Sequence, residues 1–143
     1  MRILIVLFIL VCLGTARATE ITTVVRHTNQ IGDTVVVDYV YKDNHRRVAV
    51  FIYDSDYQDP EVAFFEKDEI TILLSELGKA KNAAYLGQDY NRHVGELIIS
   101  SREKHIGISY HVGGNWYKTY MICEDSDYSE LYNGLAHAQG MIP

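Results

Sequence analysis

The sequence predicts an α+β domain: a mainly antiparallel sheet of six or seven strands carrying two amphipathic helices. Three observations predict it. Runs rich in Val, Ile, Thr and Tyr recur between turn residues, which is strand composition with hairpin punctuation. Two other stretches place apolar residues at helical spacing. Each helical stretch follows a block of strands and does not alternate with single ones, the order expected of α+β and not of α/β folds.

The chain opens on a segment that is not part of this fold. Met1-Arg2 is a short positive start, Ile3 to Leu13 is unbroken apolar sequence, and Ala16-Arg17-Ala18 fits a signal-peptidase site. Residues 1–18 therefore read as a secretory signal, too short to span a bilayer. The expected product is a single α+β domain over 19–143, secreted or periplasmic, with no membrane insertion after cleavage.

The first strand run is Ile21 to His27, and Asn29 to Asp33 turns it into Thr34 to Tyr41. Lys42 to His45 then turns into Arg46 to Tyr53. Val35 and Val37 lie beside Val36 and Val40, so the second run is apolar on both alternations and reads as a central strand covered on both faces. Asp54 to Pro60 is a polar loop, and Glu61 to Glu66 has the apolar middle of a short fourth strand. Asp68 has the chemistry of a helix N-cap. Ile70, Leu73, Leu74, Leu77, Ala80 and Ala84 follow as one apolar stripe. Gly78 interrupts that stripe at a cost of about 1 kcal/mol against Ala.

Tyr85 to Val94 reads as a polar connector. The second strand block runs from Glu96 to Ser101 and from His105 to Val112, then through Gly113-Gly114-Asn115 into Trp116 to Cys123. A second helix starts near Asp127, with Tyr128, Leu131, Tyr132, Leu135 and Ala138 in phase. The two halves share this outline, and Asp-Ser-Asp-Tyr occurs at 54–57 and again at 125–128. Duplication would give two βββα units sharing one sheet. Chance recurrence in an Asp- and Tyr-rich chain is the alternative.

Charge and cysteine content narrow the function. Of 13 Lys and Arg, Arg2 and Arg17 leave with the signal, so 11 face 19 Asp and Glu. That balance disfavours nucleic acid and anionic lipid. Cys12 falls inside the signal and Cys123 alone remains, so no intrachain disulfide forms. No Asn-x-Ser/Thr site occurs, which with the missing disulfide fits a bacterial periplasm.

Candidate chemistry is sparse. Asp54, Asp56 and Asp59 alternate like calcium ligands but lack the rest of an EF-hand loop, and loop solubility explains them. His105 and His111 are too far apart along one strand to share a metal. Cys123 precedes Glu124 and Asp125, whose charge blunts a thiolate, so it reads as a small buried hydrophobe. No metal or other cofactor is expected. Tyr57, Tyr85, Tyr90 and Trp116 stand at turns or in connectors, where rigid aromatics build recognition faces. The sequence thus points to a non-enzymatic binding module for a protein or an extracellular polymer. Its expected surface is Tyr57, Tyr85, Tyr90 and Trp116 with the Asp54/Asp56/Asp59 loop. The rivals are a small hydrolase pairing His105 or His111 with a carboxylate, and a structural subunit of an envelope assembly.

Overall fold

The computed structural model of the protein describes residues 18–56 and 59–143. All of the signal-like segment except Ala18, and Tyr57 with it, lie outside the described residues. The elements run β1 (Glu20–Thr28), β2 (Thr34–Lys42), β3 (His45–Tyr53), β4 (Glu61–Phe65), α1 (Lys67–Tyr85), β5 (Tyr90–Val94), β6 (Leu97–Arg102), β7 (His105–Gly113), β8 (Trp116–Ile122) and α2 (Asp125–Gly140).

The α+β class holds, but the single sheet of six or seven strands does not. There are two four-stranded antiparallel meanders, β1-β2-β3-β4 and β5-β6-β7-β8. Each unit is ββββα, not βββα. Strand β5 lies inside the expected connector, because Tyr90-Asn91-Arg92-His93-Val94 is a short, mostly exposed edge strand with little apolar signal. Carboxylates also cap the free edge of β8. Thr119 N–H donates to Asp54 Oδ2 (3.2 Å), Met121 N–H to Asp33 Oδ2 (3.1 Å) and Cys123 N–H to Asp127 Oδ2 (2.8 Å). Three alternate donors that could have joined another strand are satisfied by side chains, which is one way to blunt a sheet edge.

The halves match in turn geometry as well as in order. The β2–β3 turn puts Asp43 and Asn44 at φ 53° and 60°, and the β6–β7 turn puts Glu103 and Lys104 at φ 50° and 68°. Both are two-residue turns of the kind whose twist suits a hairpin. The repeated Asp-Ser-Asp-Tyr does not share that equivalence: its first copy follows β3 and its second opens α2. Both helices start on an acidic box. Glu66 N–H donates to Glu69 of α1 (2.7 Å), and Glu124 N–H to Asp127 of α2 (2.9 Å). The expected cap at Asp68 is thus displaced to Glu66.

The helices cross over between the units. Helix α1 follows the first sheet but packs on β5 and β6, and α2 follows the second but packs on β1 and β2. Leu73 and Leu77 of α1 and Leu131 and Leu135 of α2 enter one core with Val37, Val50, Ile99 and Ile108. Each such side chain contributes about 1.5–3 kcal/mol when fully buried. Neither half keeps its own helix, so the packing of each sheet depends on the other half of the chain.

Strand parity divides the first sheet into two faces. Val35, Val37 and Tyr39 face the core with Val48, Val50 and Ile52. Val36, Asp38 and Val40 look the other way, in register with Phe51, Ala49 and Arg47. The helices pack on the first of these faces.

Candidate functional site

A groove of about 410 Å³ opens where the end of α1, the start of α2 and one end of the second sheet meet. Its floor is apolar. Ile106 and Ile122 are opposed in register on β7 and β8, and Ala84 of α1 lies beside them. Tyr128 of α2 forms one wall, stacked on Tyr132 at 5.7 Å. Burial pushes the Tyr128 phenol up, with Tyr132 adding to it, so this wall stays neutral through the physiological range.

Both signs of charge line the rim. Lys81 Nζ sits 4.3 Å above the Tyr128 ring, a cation–π contact that leaves the ammonium at the groove. Lys104 enters from the β6–β7 turn, where its backbone is left-handed. Glu124 and Asp125, at the start of α2, supply the carboxylates. Tyr85, the last residue of α1, stands at the edge with 88% of its surface exposed. The volume and lining suit a ligand of a few residues or sugar units held by an apolar floor and a small number of polar groups.

Cys123 also lines the groove and is half-buried. Burial pushes its thiol up, and the nearby Asp127 and Asp33 carboxylates push it further. A thiol raised in this way is a weaker nucleophile than a free one.

The structure separates the residues singled out from sequence. Tyr85 and Tyr90 lie toward the Ile106–Ile122 end of the second sheet, whereas Trp116 begins β8 opposite Gly113 at the other end. Six residues of strand set them roughly 20 Å apart. Tyr90 is a half-buried β5 residue whose hydroxyl donates to Glu76 of α1. Trp116 is 66% exposed. Asp54 is occupied at both oxygens, by Thr119 N–H and by Asp56 N–H at 3.0 Å. Asp59 contributes its carbonyl, which accepts from Lys118 Nζ. Asp56 is exposed and Tyr57 lies outside the described residues.

The histidines fall elsewhere than a His–carboxylate site at His105 or His111 would need. His111 Nε2 bonds the Gly114 carbonyl at 2.8 Å and its ring stacks on Tyr117. His105 is exposed at the start of β7. The histidines that meet carboxylates are His27 with Asp127 (2.7 Å) and His45 with Glu66 (2.6 Å). In the first pair the other carboxylate oxygen is taken by the N–H groups of Cys123 and Glu124, so the pair ties β1 to α2. Among the described residues, no three His, Cys, Asp or Glu gather as a metal site. None of the helices described is long and apolar enough to cross a membrane.

Sequence reading found Tyr85 but missed Lys81, Lys104 and Tyr128. They lie on three elements that meet only because α1 packs on the second sheet, and no local pattern signals that crossover. Comparison with known protein families, curated proteins and solved structures finds no match.

Proposed function

We propose that the protein is a non-enzymatic binding module, acting outside the cytoplasm, that holds an extended segment of a protein partner in the groove beside Tyr85. The observation that carries this reading is the exposed Tyr85 ring beside an apolar floor with ammonium groups at Lys81 and Lys104 and carboxylates at Glu124 and Asp125. A floor of that kind takes an apolar side chain, and a rim of both signs favours a zwitterionic chain such as a peptide over a uniformly charged polymer. Aromatic anchors at the edge of a desolvated pocket are where binding energy concentrates.

The test uses Cys123, the single cysteine outside the signal-like segment, which lines the groove. A random peptide library is panned against the chain from residue 19, and the enriched peptides are titrated by calorimetry while Cys123 alkylation by a maleimide is timed. Peptides seated in the groove slow alkylation several-fold, and their affinity drops at least tenfold in Tyr85→Ala and in Lys104→Glu but not in Trp116→Ala. Enriched peptides that leave Cys123 equally reactive, or bind Tyr85→Ala as well as wild type, would overturn the assignment.

A further inference from the structure

Tyr85 and Leu86 form an apolar knob beside the groove. They follow the buried Ala83 and Ala84, yet 88% and 64% of their surfaces are exposed. The helix end that carries them is fixed by its own backbone. Leu86 N–H donates to the Asn82 carbonyl and Gly87 N–H to the Ala84 carbonyl, both at 3.1 Å, and Gln88 N–H donates to the Ala83 carbonyl at 2.8 Å. Two adjacent large apolar side chains held out into water on a rigid helix end mark an interaction surface.

The open groove is the matching hole, and it lies on the same surface, since Ala84 lines it and directly precedes the knob. Its rim is self-complementary in charge. Lys81 and Lys104 balance Glu124 and Asp125, so the rim is neutral in a chain whose net charge is −6. Lys81 is engaged by the Tyr128 ring, and Glu124 by the first turn of α2 and by the Ser126 hydroxyl at 3.4 Å. Lys104 and Asp125 remain as rim charges with no ion pair among the described residues.

We infer that a second copy of this chain occupies the groove, in a two-fold dimer in which Tyr85 of each copy seats in the groove of the other and Lys104 of each copy meets Asp125 of the other. Knob and hole side by side on one surface are what an isologous contact requires, because a two-fold axis between them fills both grooves at once. A buried tyrosine covers about 150–250 Å². With Leu86 and the groove walls, each copy buries roughly 500 Å², below the about 800 Å² of a standard interface, so the dimer is weak and reversible. The inference rests on the reading that the groove takes apolar side chains, and it adds what regulates the site. The groove is open in dilute protein and closed in concentrated protein, and peptide binding competes with self-association.

Sedimentation velocity of the chain from residue 19 over about 1–500 µM reads the association, with a dissociation constant of about 10–200 µM expected. Cys123 lines the groove, so its alkylation by excess maleimide should slow at least twofold across that range without any peptide. Tyr85→Ala, at an exposed position and checked for folding by circular dichroism, should weaken the dimer at least tenfold and make the alkylation rate independent of concentration. Lys104→Glu and Asp125→Lys should each be monomeric alone, but should form a heterodimer when mixed, because both cross-pairs are restored. A chain that stays monomeric at 500 µM overturns the inference and leaves the peptide reading standing. So does a dimer whose Cys123 reacts at the monomer rate, a Tyr85→Ala variant that associates as wild type does, or a pair of charge variants that fail to associate on mixing. A dimer with every expected property, in a chain whose panned peptides leave Cys123 unprotected, would uphold the inference and remove the peptide reading.

Discussion

Gly134 of α2 lies against Val25 of β1 so closely that a Cβ on the glycine would stand 2.4 Å from Val25 Cγ1. The register of β1 on β2 shifts between Thr23 and Val25, at the place where the helix comes down. Gly134→Ala therefore has to push the helix or the strand away. Overpacking of this kind costs about 1–3 kcal/mol and exceeds the helix-propensity gain of about 1 kcal/mol. A net loss of about 1 kcal/mol is expected in urea unfolding. Gly78 of α1 is the control, because a Cβ there meets nothing within 4 Å. Gly78→Ala should gain about 1 kcal/mol. Equal effects of the two substitutions would contradict the packing described.

Tyr120 is fully buried on β8 and its hydroxyl has no partner. Burial drives its phenol well above the usual range, and Asp127 adds to this, so it is neutral at physiological pH. Replacing a partnerless hydroxyl by hydrogen removes a desolvation cost and leaves the ring packing intact. Tyr120→Phe should melt at the same temperature as wild type or a few degrees higher. A drop of more than about 1 kcal/mol would mean that the hydroxyl has a partner in solution.

What could be read from sequence, and what could not, follows from where each signal lives. The stripe from Ile70 to Ala84 and the run from His105 to Val112 carry their period in adjacent residues, and both elements are found. The β2 run was legible as central, with Val35 and Val37 in the core. Strand β5 was not, because its order comes from pairing with β6 and from Tyr90 reaching Glu76, not from apolar alternation. The split into two sheets rests on Asp33, Asp54 and Asp127 capping β8, and in sequence these are indistinguishable from loop carboxylates. Of the described residues expected to form the binding surface, only Tyr85 borders the groove, since the groove is made by the helix crossover.

Asp33 should be among the costliest carboxylates to remove. It is 3% exposed, and it accepts from Ser55 N–H at 3.0 Å and Met121 N–H at 3.1 Å. Asn29 joins the same cluster, donating to Asp33 at 3.3 Å and to the Met121 carbonyl at 2.7 Å. Asp33→Ala leaves part-buried backbone donors unpaired in the β3–β4 loop and on β8, with an expected loss of about 2–3 kcal/mol. Asp56→Ala, at an exposed position of the neighbouring loop, should change stability by less than about 0.5 kcal/mol. Comparable losses from the two, by urea midpoint at constant m-value, would refute the edge-capping role.

Asp127 should contribute to the acid sensitivity of the fold. Burial pushes its carboxyl up, but hydrogen bonds from His27 and from the N–H groups of Cys123 and Glu124 outweigh burial and hold it below the usual carboxylate value. A carboxyl with a lowered folded-state pKa contributes stability that is complete above its unfolded value, near 3.9, and is lost as pH falls through the folded one. Wild-type stability should therefore fall below about pH 4, as the tie from β1 and β8 to the first turn of α2 is protonated. Asp127→Asn keeps an acceptor oxygen but removes the titration. It should be less stable than wild type at pH 7, and the gap should narrow as pH falls. Urea midpoints measured for both proteins from pH 2.5 to 7 would show the two curves converging toward low pH. Parallel curves would mean that Asp127 carries no more protons in the unfolded state than in the folded one, and that another carboxylate governs acid unfolding.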